Sequence, residues 1–278
     1  MVMRKFAVLY FGALGIAILL ISVGFGRQSG EVNLQTVLQA PSWNFWFGTD
    51  SLGRGLFYRS IAGARVSLGV GLLAAFGAFG LGAFVGAISA LMPSSVDRGL
   101  MRITEVISAL PHILLLGVLG LFFQSFFLEP GILSISLTLI FGSWMSFARY
   151  TRNLFLREKS QLYVDAAVAT GASPFRLILR HLLPNVMTDL LVFLTLQIPH
   201  LILAESLLSF LGLGLRPPQV SWGALMNEGW KSLGVYPHLL LIPSGVLFLT
   251  ILSLHLLLEE MRVKTDPQLR WQRFSETI

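Results

Sequence analysis

Apolar residues recur along this chain in six long runs, and the charged residues gather between them. An α-helix rises 1.5 Å per residue, so about 20 residues cross a hydrocarbon core of about 30 Å. The runs at residues 6–25, 67–92, 103–127, 131–150, 186–208 and 238–258 meet that length and predict spanning helices. The first follows Arg4 and Lys5. Its apolar core exceeds the about 7–15 residues of a secretory signal and no small-x-small cleavage site follows, so it is expected to stay as an anchor. The pattern as a whole predicts an all-α polytopic membrane protein with about six transmembrane helices, organised as one transmembrane domain over residues 1–278.

Composition strengthens this picture. Of the 278 residues 54% are hydrophobic and 12% charged, against about 25% charge in a soluble domain. The net charge of +6 does not point to nucleic acid, because the bases form no dense patch with interleaved aromatics. They do fix an expected orientation. With the N-terminus inside, 14 of the 20 bases fall on the cytoplasmic side, as the positive-inside rule requires. Inside lie Arg4 and Lys5, Arg98 and Arg102, the six from Arg149 to Arg180, and the four from Arg262 to Arg273; Arg27, Arg54, Arg59, Arg65, Arg216 and Lys231 lie outside. Residues 26–66 then become an external loop, 151–185 a cytoplasmic loop and 259–278 a cytoplasmic tail, in a multi-pass protein of the inner (cytoplasmic) membrane. The absence of cysteine excludes disulfides and thiolate metal sites. The five histidines, at 112, 181, 200, 238 and 255, show no ligand spacing, so no metal is expected.

The stretch "YVDAAVATGASPFRLILRHLLPN", Tyr163 to Asn185, breaks the apolar pattern. Ser160 is positioned to cap a short helix ending at Gly171, a residue type that takes the left-handed conformation after a last turn. Ser173 and Pro174 then mark a new N-terminus, and Pro184 a stop. Between them Phe175, Ile178, Leu179 and Leu182 recur at helical spacing, with Arg176 and Arg180 on another face. About ten residues reach only about 15 Å, too short to span. Ala166, Ala167 and Ala169 would let another surface approach closely, and Asp165 suits a helix N-terminus. These residues fit either a docking element or an amphipathic loop lying on headgroups with its arginines on anionic lipid.

The arrangement of Asp165-Ala166-Ala167, Gly171 and Leu183-Pro184 resembles the "EAA" loop of permease subunits in binding-protein-dependent ABC importers, with aspartate in place of the usual glutamate. "FGTDSLGRGLFYRSIAGARVSLGVG" from Phe47, "ESLLSFLGLGLRPPQVSWGALMNEG" from Glu205, and the tail pattern Arg262 with Asp266-Pro267 resemble the C-type subunit of the dipeptide and oligopeptide permease group. Departures are Gly55 for the usual acid, His255 for an asparagine and Leu258-Glu259 for Gly-Asp. The resemblance covers residues 47 to 268. It implies a type I ABC importer permease fold and one half of a two-subunit pore, beside a second homologous permease subunit. It also implies two cytoplasmic ATPase subunits that bind the ATP and magnesium, an external solute-binding protein, and a peptide-like cargo. Related permeases for nickel complexes or glycosides are alternatives.

On this resemblance Tyr163, Asp165, Ala166, Ala167, Gly171, Ala172, Pro174, Phe175, Arg176, Arg180 and Pro184 form the ATPase-coupling loop. No catalytic residue and no directly bound cofactor are expected, since the chain has no phosphate-binding Gly-x-x-x-x-Gly-Lys loop. On the outer side Trp43, Trp46, Asp50, Arg54 and Trp222 are candidates to face a receptor, with an aromatic belt at the headgroups as the alternative. Gly71, Ala75, Ala78, Gly82 and Gly86, several of them four apart, predict a close helix-packing face. Pro111 and Pro199 should bend their spans. Glu205 and Asp189 are expected near the membrane interfaces, within reach of water. A secondary transporter would need an internal repeat and midplane charges, and an intramembrane hydrolase a nucleophile elbow or zinc helix; the sequence shows none of these clearly.

Overall fold

The computed structural model describes residues 2–22, 31–127, 131–215, 217 and 219–265. Arg27, Arg216, Asp266-Pro267, Arg270 and Arg273 lie outside the described residues. The chain forms α1 (Val2–Ser22), α2 (Leu56–Leu91), α3 (Ser94–Ser108), α4 (His112–Ser125), α5 (Ile132–Lys159), α6 (Leu162–Ala169) and α7 (Pro174–Leu177). A π turn at Ile178–Leu182 leads into α8 (Leu183–Phe210), and α9 (Trp222–Trp230) and α10 (His238–Thr265) follow. Among the described residues the only β pairing is an isolated bridge between Thr49 and Gly55. Five helices are long and apolar enough to cross a membrane, or six if α3 and α4 are one broken span.

The third expected span departs furthest from the pattern. Where a helix was expected over 103–127, α3 and α4 meet at 96° around Pro111. Proline disfavours helical backbone in the residue before it and cannot donate to the turn it follows. The result is an amphipathic α3 across the end of the bundle and an α4 of 14 residues, about 21 Å long. Other boundaries shift outward. Helix α2 starts at Leu56, so the last part of the expected external loop at 26–66 is helical. Helix α5 runs on to Lys159, into the loop expected from 151.

Helix α2 is the centre of the bundle, packed chiefly on α5 and also on α8. Ala74, Ala75 and Ala78 are fully buried in a core with Leu116, Leu139, Phe147 and Leu208. The expected small-residue face is present. A methyl group on Gly82 would strike the Trp144 carbonyl and come within 2.9 Å of the Ala148 nitrogen; one on Gly86 would strike the Ala148 carbonyl, and one on Gly71 the side chain of Ile202. These contacts are made with backbone or with fixed branched side chains, so the glycines set the interhelical distance.

A charged clamp closes one end. Asp97 in the first turn of α3 accepts from Arg152 Nε and Nη2 of α5, at 2.6 and 2.5 Å, and from Ser89 Oγ of α2 at 2.6 Å. The fork geometry of guanidinium and carboxylate makes this a strong charge-assisted pair.

Gly82→Ala should destabilise the bundle by about 1–3 kcal/mol, the cost of overpacking a fixed core. Gly80→Ala, where a methyl group meets nothing within 4 Å, should be neutral or stabilise by up to about 1 kcal/mol through helix propensity. Thermal unfolding of the two variants in the same detergent checks the difference.

Candidate functional site

The elbow between α6 and α7 is built by local backbone chemistry. Helix α6 ends at Ala169, and Gly171 follows with φ +84°. The Gly171 N–H bonds the Val168 carbonyl at 2.9 Å and the Ala172 N–H the Ala167 carbonyl at 3.0 Å. These two bonds make a Schellman cap, which satisfies carbonyls that a helix end leaves open. Ser173 then caps the next helix, with its hydroxyl accepting from Arg176 N at 3.4 Å, and helical backbone begins at Pro174. Ser160 has a different role from the one expected: it terminates α5, and its hydroxyl donates to the Arg157 carbonyl at 2.7 Å.

Pro184 does not stop the second helix. It sits in the first turn of α8, and residues 175 to 210 form one continuous helical element. In the π turn ahead of it the Leu183 N–H bonds the Ile178 carbonyl, five residues back. A proline in a regular helix clashes with the carbonyl four residues earlier, and the wider π turn absorbs that clash. The extra residue also turns the buried face. Leu177 and Leu182, five apart, are buried together with Val186 and Leu190, whereas Phe175 and Leu179, expected on the packing face, are exposed.

The elbow is anchored at few points and open elsewhere. Val164 is buried against Phe155, Leu177 and Leu182, and Ala167 packs partly on the same cluster. Tyr163 donates its hydroxyl to Glu158 of α5 at 2.8 Å and accepts from Asn185 of α8 at 2.7 Å, so it ties the two limbs together. Burial pushes the Tyr163 phenol above its usual range, which keeps it a donor. Arg157 pairs with Asp189 across the same limbs at 3.0 Å, and both side chains are exposed. Asp165, Ala166, Gly171, Arg176 and Arg180 are exposed, as are the large apolar residues Leu162, Val168, Phe175 and Leu179. The elbow therefore presents a mixed apolar and basic surface at the tip of an unbroken 36-residue helix.

The other end carries a cap made by residues 31–55 and α9. Asp50 accepts from Leu52 N at 2.8 Å, Arg54 N at 2.9 Å, Arg54 Nε at 2.7 Å and Arg59 Nη1 at 2.7 Å. The turn requires Gly53, which has φ +72° and would drive any Cβ into the Asn33 carbonyl. Arg59 also reaches Glu228 of α9, with Nη2 to Oε1 at 3.0 Å. Asp50 and Arg59 are thus buried structural partners, and Asp50 is not an open contact point. Trp222, expected to face outward, is fully buried; its indole N–H bonds the Ser60 carbonyl at 2.9 Å and wedges α9 against α2. Trp43 is 95% exposed, Trp46 is exposed with its ring edge-on to Phe57 at 5.4 Å, and Arg54 remains partly open. Arg59 and Glu228, 169 residues apart, were missed because nothing local in the sequence pairs them.

Glu205 also departs from expectation. It is fully buried, accepting from Ser209 Oγ at 2.8 Å and Ser206 Oγ at 3.3 Å, and Ser67 and Ser221 surround it. Four hydroxyls from α2, α8 and the start of α9 provide the hydrogen bonds that a buried carboxyl requires.

Residues 78–259 match the family described as "Binding-protein-dependent transport system inner membrane component". The chain belongs to that family. This permease subunit is 35% identical over 86% of its length, and 76% of the relative's, to the oligopeptide transport system permease protein OppC of Bacillus subtilis (strain 168). It is 38% identical to the dipeptide transport system permease protein DppC of the same strain, with 83% and 71% of the two chains covered. It is 36% identical to the glutathione transport system permease protein GsiD of Escherichia coli O6:K15:H31, with 83% and 74% covered. In fold it resembles the MetNI methionine ABC transporter solved in inward facing conformations, with a TM-score of 0.61 at 17% identity over 75% of this chain and 97% of that one. The all-α ABC importer permease fold follows, and the permease subunit is not itself an enzyme.

Asp50→Ala in the permease should cost about 3–5 kcal/mol, because it removes one of the two carboxylates on the buried Arg59 guanidinium and the acceptor of four hydrogen bonds in the cap. Glu228→Ala, at the half-exposed end of the clasp, should cost less. Thermal unfolding in detergent gives the order; a larger loss from Glu228→Ala would contradict the assigned geometry.

Proposed function

We propose that this permease subunit forms one half of the pathway of an ATP-driven importer for peptides or peptide-like solutes. A second homologous permease supplies the other half, and two ATPase subunits act through the α6–α7 elbow. ATP and magnesium stay on those partners, and an external solute-binding protein delivers cargo to the opposite cap, where Trp43, Trp46 and Arg54 are open. The count of bases favours an elbow and both termini in the cytoplasm. The peptide reading is supported by the relatives, whose names specify oligopeptide, dipeptide and glutathione transport.

One observation carries the coupling role: exposed Leu162, Phe175 and small alanines project from a Schellman elbow that is continuous with the longest helix of the fold's second half. A surface of this kind has no reason to stay in water, and a rigid lever transmits the motion of whatever covers it. Closure of nucleotide-loaded ATPases would then rock α8 between two states of the bundle.

The mutation Gly171→Val tests the elbow alone, since no atom lies within 4 Å of the added Cβ and only the positive φ is penalised. Membrane insertion and ATPase binding in the assembled transporter should persist, while solute-stimulated ATP hydrolysis and uptake should be lost. Wild-type uptake by this variant would remove the coupling assignment. Asp165→Glu should leave both activities unchanged, and loss of ATPase association there would count against the alignment of this loop with the family pattern.

A further inference from the structure

Between α4, α5 and α8 lies a cavity of about 420 Å³ whose walls carry an unusual share of polar groups for a membrane bundle: Ser108, His112, Ser143, Arg149, Gln197 and His200. Ser143, Arg149, Gln197 and His200 belong to helices long and apolar enough to span. Polar side chains within a span, such as Ser143, Gln197 and His200, are costly and mark solute paths, and Arg149 stands toward the elbow end of α5.

The hydrogen-bonding capacity of this cavity is only partly used. Ser143 Oγ is buried without a partner, a state that buried hydroxyls rarely keep. Arg149 donates from Nη1 to Ser108 Oγ at 2.7 Å and more weakly to the Thr104 carbonyl at 3.4 Å. A guanidinium has five N–H donors, and among the described residues no carboxylate lies within ion-pair distance of Arg149. Glu105, one turn before Ser108, is engaged by Arg102 at 3.7 Å, and Asp97 by Arg152. Among the described residues no acid lines the cavity. A fixed cation, an amide and two imidazoles around a space within the about 300–1,000 Å³ of small-ligand pockets present donors to an anion. Guanidinium matches a carboxylate in two parallel hydrogen bonds.

We propose that this cavity is a carboxylate-recognising subsite, in which Arg149, with Gln197 on the same cavity wall, holds the carboxyl group of the transported solute during passage. The assignment rests on the reading of the chain as a solute-conducting subunit and names the chemical group the cargo must offer.

Two measurements on the complete transporter, with its partner permease and ATPases, decide it. The chain contains no cysteine, so Ser146→Cys, at a half-buried lining position, introduces a single near-isosteric probe whose modification is read by the mass of this chain. A negatively charged methanethiosulfonate should react about tenfold or more faster than a positively charged one, as expected for a site focusing one sign of field. Arg149→Gln should abolish that preference, and N-acetylglycine, but not its amide, should protect the thiol. Equal rates for the two reagents overturn the proposal. So does failure of both, which would mean that an acidic side chain of the partner permease or a lipid headgroup fills the cavity.

The second measurement compares uptake of a tripeptide with that of its C-terminal amide. Arg149→Gln should cut uptake of the free acid about tenfold or more, the worth of a hydrogen-bonded charge, and leave the amide little changed, with Arg149→Lys intermediate. Equal loss of both substrates overturns the carboxylate assignment. If the wild-type transporter carries neither peptide, the peptide reading falls, while the labelling ratio still decides the subsite.

Discussion

Two helices in hydrocarbon gain nothing by hiding leucines from water, so this bundle rests on how near α2 lets α5 and α8 approach. Gly71, Gly82 and Gly86 bring a partner side chain or backbone into the volume a methyl group would occupy. Dispersion contacts then add up along the buried alanines between them, where association has no hydrophobic drive to rely on. The remaining helices are placed by this contact: α4 lies on α5, α9 and α10 lie on α8, and α1 rests on the outside against α10 and α2.

Charge finishes what close packing begins, at both ends. The Asp97–Arg152 fork joins α3 and α5 at one end, and Asp50–Arg59–Glu228 joins the cap, α2 and α9 at the other. Asp97 and Asp50 are largely removed from water and receive further hydrogen bonds, the condition under which a buried ion pair repays its desolvation, while Glu228 stays half-exposed. The consequence is a stiff body with one lightly attached projection. The elbow touches that body through Val164, Ala167 and the Tyr163 bridge, and its continuity with α8 turns displacement at the tip into motion of a whole helix.

Polar groups inside the bundle divide into two kinds. Glu205 is saturated by serines and holds structure. Arg149 lines a cavity with donors to spare, and the Ser143 hydroxyl in the cavity wall is buried without a partner. Sequence shows both kinds as polar residues in apolar runs, and only the count of partners separates them. The same distinction explains Trp222 and Asp50, whose residue types suggest an exposed recognition surface but whose hydrogen bonds are all internal.

The chain by itself determined whatever depends on neighbours within one or two turns, or on net composition. Apolar run length set the all-α membrane class, the small-residue spacing set the α2 packing face, and Gly171 and Ser173 set the elbow, because a left-handed cap and an N-cap are local backbone events. Tertiary structure alone decided what depends on distant atoms or on a change of helical register. The break at Pro111 became a 96° turn, while Pro184 passed through a π turn that rotated Phe175 and Leu179 outward and Leu177 inward. Glu228 found Arg59 across 169 positions. A helical period cannot foresee an inserted residue in its own winding, and a charge cannot name its partner until the fold has brought the two within reach.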